Sequence, residues 1–159
     1  MLKRAVGRLL EGAVLALVVA LAAVVVLGVV FRKAGAALVW YDEVASILLA
    51  WLTYYGAALA ALRRSHIGVP TVVERLAGRW RVATVLLAEA FAIGFFLVVA
   101  WAGWRVVAVL GGTTLVSLPW VPAGLAQSVI PIGAILFIVA EILSIPDALA
   151  EPPVEAAEP

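Results

Sequence analysis

Few side chains in this sequence can do chemistry, and most of them stand where a membrane would make charge costly. Asp42 and Glu43 are adjacent in WYDEVASILLAW, Trp40 to Trp51, just ahead of an apolar run. Glu89 lies inside a later apolar run, with Arg105 near the end of that run, and Glu141 lies inside the last one. His66 is the lone histidine, and cysteine is absent. Without cysteine there is no disulfide framework, thiolate metal site or thiol nucleophile. One histidine supplies neither bis-histidine haem ligation nor a His-rich metal site within one chain. No nucleophile–base pair, phosphate loop or redox site is formed, so the sequence points away from an enzyme and towards a chain with no cofactor of its own.

An ionisable group inside a span is costly and marks a functional candidate. Glu89, seven residues into its run, is roughly 10 Å from that end at 1.5 Å per residue. Two roles suit it. One is a coupling carboxylate in a small, stand-alone, homo-oligomeric, proton-coupled carrier. The other, favoured because a single carboxylate is weak grounds for transport, is a structural contact with a basic group on another helix or subunit. Arg105 is about 24 Å away along the same helix, out of reach. Glu141, near the end of its span, is expected to snorkel to water. Asp42 and Glu43 either cap a helix start, where unpaired N–H groups and the helix dipole favour anions, or meet another subunit. Adjacent helical residues point about 100° apart, so Glu43 is expected outward and Asp42 towards a small-residue face.

The elements that position these residues are helices. Hydrophobic residues make up 66% of the 159 and charged ones only 13%, too few for a water-covered surface. Four runs reach the ~20 residues that a ~30 Å hydrocarbon layer requires: about 12–31, 44–62, 82–110 and 121–145. None alternates as a barrel strand would. Lys3, Arg4 and Arg8 resemble a signal-peptide n-region, but the run that follows is too long and ends in Arg32 and Lys33, so a retained span is expected. Lys and Arg number eight on the side of the tails and the middle loop against three on the other. Both termini are therefore expected to be cytoplasmic, with Asp42 and Glu43 at the outer face.

Between spans two and three, Val69, Val72, Val73, Leu76 and Trp80 share one helical face, and Thr71-x-x-Glu74 has capping-box spacing after Pro70. A short amphipathic interfacial helix over about 71–80 is predicted, either a lipid-surface anchor or a docking surface. Residues 111–120 read as an outer turn with Trp120 as an interfacial aromatic. Residues 1–146 form one four-helix integral membrane domain, and the acidic, Pro- and Ala-rich 147–159 a disordered tail. Pro131 withdraws a donor from the carbonyl of Gln127 and should loosen span four, with Gln127 and Ser128 close by to compensate. Thr53, Gly56, Ala57 and Ala60, with Ser46 and Asp42, give span two a narrow face for close helix contact.

In order and spacing these stretches resemble the small membrane subunit, the Q subunit, of TRAP transporters (tripartite ATP-independent periplasmic transporters). The likeness runs from about Val14 to Ile145. It rests on Trp40-x-Asp42-Glu43, Trp51, Tyr55-Gly56-Ala57-Ala58, Arg63, His66-Ile67-x-Val69, Leu118-Pro119-Trp120 and Pro131-Ile132-Gly133. Two positions depart from the family: Ser46 where an arginine is frequent, and Pro70 where an aspartate is favoured. The ion pairs those residues would make are not carried over.

The resemblance implies an accessory subunit in the inner membrane that packs against a large transport subunit. A periplasmic binding protein delivers an organic acid, a carboxylate or sulfonate, and the large subunit moves it inward with sodium. Partner-facing candidates are Trp40, Asp42, Glu43, Trp51, Gly56, Arg63, His66, Glu89, Trp120 and Pro131. A cofactor-free anchor of a membrane redox complex is a further alternative.

Overall fold

The computed structural model describes residues 2–64 and 79–150. Over these the chain forms helices α1 (Leu2–Lys33), α2 (Tyr41–Leu62), α3 (Arg79–Val109), α4 (Ala123–Gln127) and α5 (Val129–Ala150), and no strand. Four stretches are long and apolar enough to cross a membrane: α1, α2, α3, and α4 with α5 taken together. The all-helical, four-span fold read from the sequence is therefore observed.

Helix ends differ from the apolar runs in informative ways. α1 has 32 residues, about 48 Å at 1.5 Å each, so its basic first turns extend beyond a ~30 Å hydrocarbon layer. Arg79 and Trp80, expected to close an interfacial helix, instead open α3. The remainder of that helix, 71–78, and His66 lie outside the described residues. α5 continues through Pro146 to Ala150, so Asp147–Ala150, assigned to the tail, are helical. Proline removes one helix hydrogen bond, and contacts from other helices hold this last turn: Lys3 pairs with Asp147, and Arg81 Nη2 donates to the Ala148 carbonyl at 3.4 Å. The rest of the tail, 151–159, lies outside the described residues.

The spans pack chiefly as α1 on α2, α2 on α5 and α5 on α3. They stand in that order as an open arrangement, not as a bundle closed by α1 against α3. Each neighbouring pair is brought close by a glycine. Gly28 of α1 lies under the ring of Tyr41, Gly133 of α5 faces the Cβ of Tyr54, and Gly103 of α3 faces Ile130 and Pro131. A Cβ at any of the three would overlap its neighbour, which is how small residues let membrane helices approach. The core forms where α1, α2 and α5 meet, from Leu10, Ala58, Ala61, Leu62, Phe137 and Ala140. Phe96 of α3 extends it by stacking on Phe137, centroids 3.8 Å apart.

Span four is interrupted, as Pro131 led us to expect. α4 ends at Gln127 and α5 starts at Val129, placing Pro131 in a first turn, where a missing N–H costs least. The Ser128 hydroxyl donates to the Leu125 carbonyl at 2.7 Å, and regular bonding resumes with Ile132 N–H to the Ser128 carbonyl at 3.2 Å.

Candidate functional site

Two polar constellations and one uncovered face stand out, and each takes residues from distant parts of the sequence. The first is at the hairpin end of the spans. Residues 110–122 fold into a compact hairpin-like turn: Leu115 N–H donates to the Val121 carbonyl and Ala123 N–H to the Thr113 carbonyl, both at 3.0 Å, and Gly112 supplies a φ of 92°. At its tip the Glu43 carboxylate accepts the N–H of Val116 at 3.1 Å and of Ser117 at 2.8 Å, and the Ser117 hydroxyl as well. Charge-assisted bonds to consecutive backbone donors fix the turn against α2. The expected orientation of the two acids is thus corrected for Glu43, which turns inward to the hairpin. Neither acid's side chain caps α2. Trp40 occupies the cap position and makes no side-chain cap bond. Asp42 is exposed on the neighbouring face.

The second constellation is at the basic end. Arg64 of the α2 terminus lies 3.6 Å from the Glu89 carboxylate of α3. Glu89 in turn neighbours Glu141 of α5. Ser144 donates to the Glu141 carbonyl at 3.0 Å and stands 3.4 Å from its carboxylate. Glu141 is only 7% exposed, so the expectation that it snorkels to water is corrected: it points into the packing between helices. Glu89 thus meets a basic group on another helix, as the structural role foresaw. Its carboxyl partner Glu141 was not foreseen. The clue was depth: Glu89 and Glu141 both lie a short way in from the basic end, where Arg64 also sits.

Other candidates are held inside the chain. Trp51 Nε1 donates to the Ala126 carbonyl at 3.3 Å and stacks on Tyr55. Arg63 pairs with Glu11 at 2.6 Å, and Pro131 fills the crossing with Gly103. Trp120 is exposed on the hairpin and Trp40 half-buried.

The uncovered face runs along α2. Asp42, Ser46, Leu49 and Thr53 are exposed, and Gly56 and Ala60 continue the same helical stripe. A Cβ on Gly56 would touch nothing within 4 Å. The small residues that make the close contact within the chain are instead Ala58 and Ala61, on the opposite side of the helix. Ser46 and Thr53 turn their hydroxyls back to the carbonyls of Asp42 and Leu49, each at 2.8 Å. The stripe is therefore narrow, its hydroxyls are satisfied, and among the described residues no other helix fills it.

The family model described as "Tripartite ATP-independent periplasmic transporters, DctQ component" matches residues 21–151, most of the chain. The chain belongs to the DctQ family. Comparison with curated proteins gives no significant match. The match to DctQ takes in α2, the hairpin and both polar constellations, and leaves out the first 19 of the 32 residues of α1 and the end of the tail. DctQ is a transporter-component family and not an enzyme family, and this member is a multi-pass membrane protein.

Proposed function

We propose that this chain is the small accessory subunit of a sodium-gradient-driven TRAP transporter in a bacterial inner membrane. It packs against a large transport subunit, which moves an organic acid, a carboxylate or sulfonate, delivered by a periplasmic binding protein. Sodium coupling belongs to the large subunit. The basic end is cytoplasmic, following the positive-inside bias, and the hairpin with Asp42 and Trp120 faces the periplasm.

The observation that carries this reading is the stripe from Asp42 to Ala60. Against lipid, small residues gain little. Against another helix they permit close backbone approach and tight van der Waals contact. Within the chain that kind of contact is made by Ala58 and Ala61, which leaves the Gly56 side for a helix of the large subunit. Asp42, at the periplasmic end of the stripe, offers the same partner or the docked binding protein a charge.

A mild-detergent pull-down of the tagged chain from its native membranes, with mass spectrometry of what is retained, tests the reading. A stoichiometric, larger polytopic protein is expected. Gly56→Leu should remove it while the isolated chain keeps its stability, and Asp42→Lys should weaken it. Recovery of the chain alone as a defined oligomer would overturn the proposal.

A further inference from the structure

A groove of about 280 Å³ opens at the basic end between the first three turns of α1 and the end of α2. Its rim carries four cations, Lys3, Arg4, Arg8 and Arg63. Two are already committed: Lys3 to Asp147 and Arg63 to Glu11. Arg4 and Arg8 are exposed, one helical turn apart on α1, and have no side-chain partner among the described residues. The groove therefore carries two cations in excess of its anions, about 6 Å apart along the helix at 1.5 Å per residue. That spacing suits two guanidinium groups gripping one phosphodiester, the geometry for which arginine forks are matched.

What continues from the groove decides between a free anion and an amphiphile. At helical spacing the stripe that holds Arg4 and Arg8 passes Glu11, whose charge Arg63 pairs, and runs on through Leu15, Val19 and Val26. These are 66%, 67% and 60% exposed, uncovered by any other helix among the described residues. Two cations at the water-facing end of an apolar strip about 16 Å long, at 1.5 Å per residue, match a phosphate group with hydrocarbon attached. An inorganic phosphate would use only the rim. A zwitterionic headgroup would bring an ammonium into an excess of positive charge.

We propose that the groove binds the headgroup of an anionic glycerophospholipid, with Arg4 and Arg8 on its phosphate and an acyl chain along Leu15, Val19 and Val26. Basic pockets at helix ends are known as sites for acidic lipids. The site stands on α1 and α2 alone and is independent of the transport role.

Native mass spectrometry of the purified full chain, supplied with equal amounts of phosphatidylglycerol and phosphatidylcholine, tests the site. Selective retention of phosphatidylglycerol by wild type is expected. The double variant Arg4→Gln, Arg8→Gln should lower its binding roughly 30-fold, from two basic contacts at the usual worth of each. Arg4→Lys with Arg8→Lys should keep most of the preference, and Arg105→Gln, at the other end of the spans, all of it. Circular dichroism checks that each variant stays helical. Equal retention of both lipids, or a preference that survives the double Gln variant, would overturn the proposal. So would displacement of bound phosphatidylglycerol by millimolar inorganic phosphate, which would mark an anion site with no lipid role.

Discussion

Gly133→Ala probes the packing of α2 on α5. A Cβ at residue 133 would lie 2.5 Å from the Tyr54 Cβ and 2.7–2.8 Å from ring carbons Cδ1 and Cγ. Restoring ordinary contact means moving from 2.5 Å to 3.4 Å, a parting of about 0.9 Å between the helices. No rotamer change relieves it, because the Tyr54 Cβ is fixed to its backbone. Overpacking of this kind costs about 1–3 kcal/mol. Against it stands the gain of about 1 kcal/mol that alanine has over glycine inside a helix. Gly56→Ala brings that gain without the clash, since its Cβ would meet nothing within 4 Å. The difference between the two variants therefore isolates the overpacking, and Gly133→Ala should be the less stable by about 1–3 kcal/mol. Unfolding of the purified chain from mild-detergent micelles into SDS, followed by tryptophan fluorescence, measures this directly. Trp51, bonded from α2 to the Ala126 carbonyl of α4, reports on the separation of α2 from the fourth span. Equal stability of the two variants would refute a close crossing at Gly133.

Further predictions concern the polar constellations. Arg63→Gln breaks a half-exposed pair with Glu11 and should cost under about 1 kcal/mol in the same unfolding assay. Arg64→Gln leaves the more buried Glu89 and Glu141 without their cation and should cost on the order of 3 kcal/mol. Adding Glu89→Gln to Arg64→Gln should recover most of that loss, because a neutral amide then replaces a buried carboxylate that has lost its cation. At the hairpin end, Glu43→Gln should speed hydrogen exchange at the Val116 and Ser117 amides, and Asp42→Asn should leave it unchanged. Equal protection in Glu43→Gln and wild type would show that the carboxylate does not hold the turn.

The spans were legible because the thickness of hydrocarbon and the scarcity of charge constrain every window of the sequence. Their neighbours were not, because the runs are apolar on most sides and any face can meet lipid or protein. α2 illustrates the limit. Its sequence offers two small-residue faces, one through Gly56 and Ala60 and another through Ala58 and Ala61. Only the arrival of α5, with Gly133 against Tyr54, selects the second for the interior. The two acids ahead of it divide in the same way. Which of Asp42 and Glu43 is used internally depends on a hairpin more than seventy residues later, whose backbone donors reach one of them.

The division of labour along α2 follows from these contacts. At the basic end, Lys3, Arg63, Arg64 and Arg81 reach Asp147, Glu11, Glu89 and the Ala148 carbonyl, so charge there ties all four spans of this chain to one another. At the hairpin end, Glu43 does the same for the turn between the last two spans. Between these anchors the Gly56 side of α2 is held in place by packing on its opposite face. On the proposed function, a partner helix would meet a surface that is already ordered, and its association would not carry the cost of ordering that surface. On that proposal, recognition along the stripe would rest on its narrow shape, with Asp42 as the charge at its end.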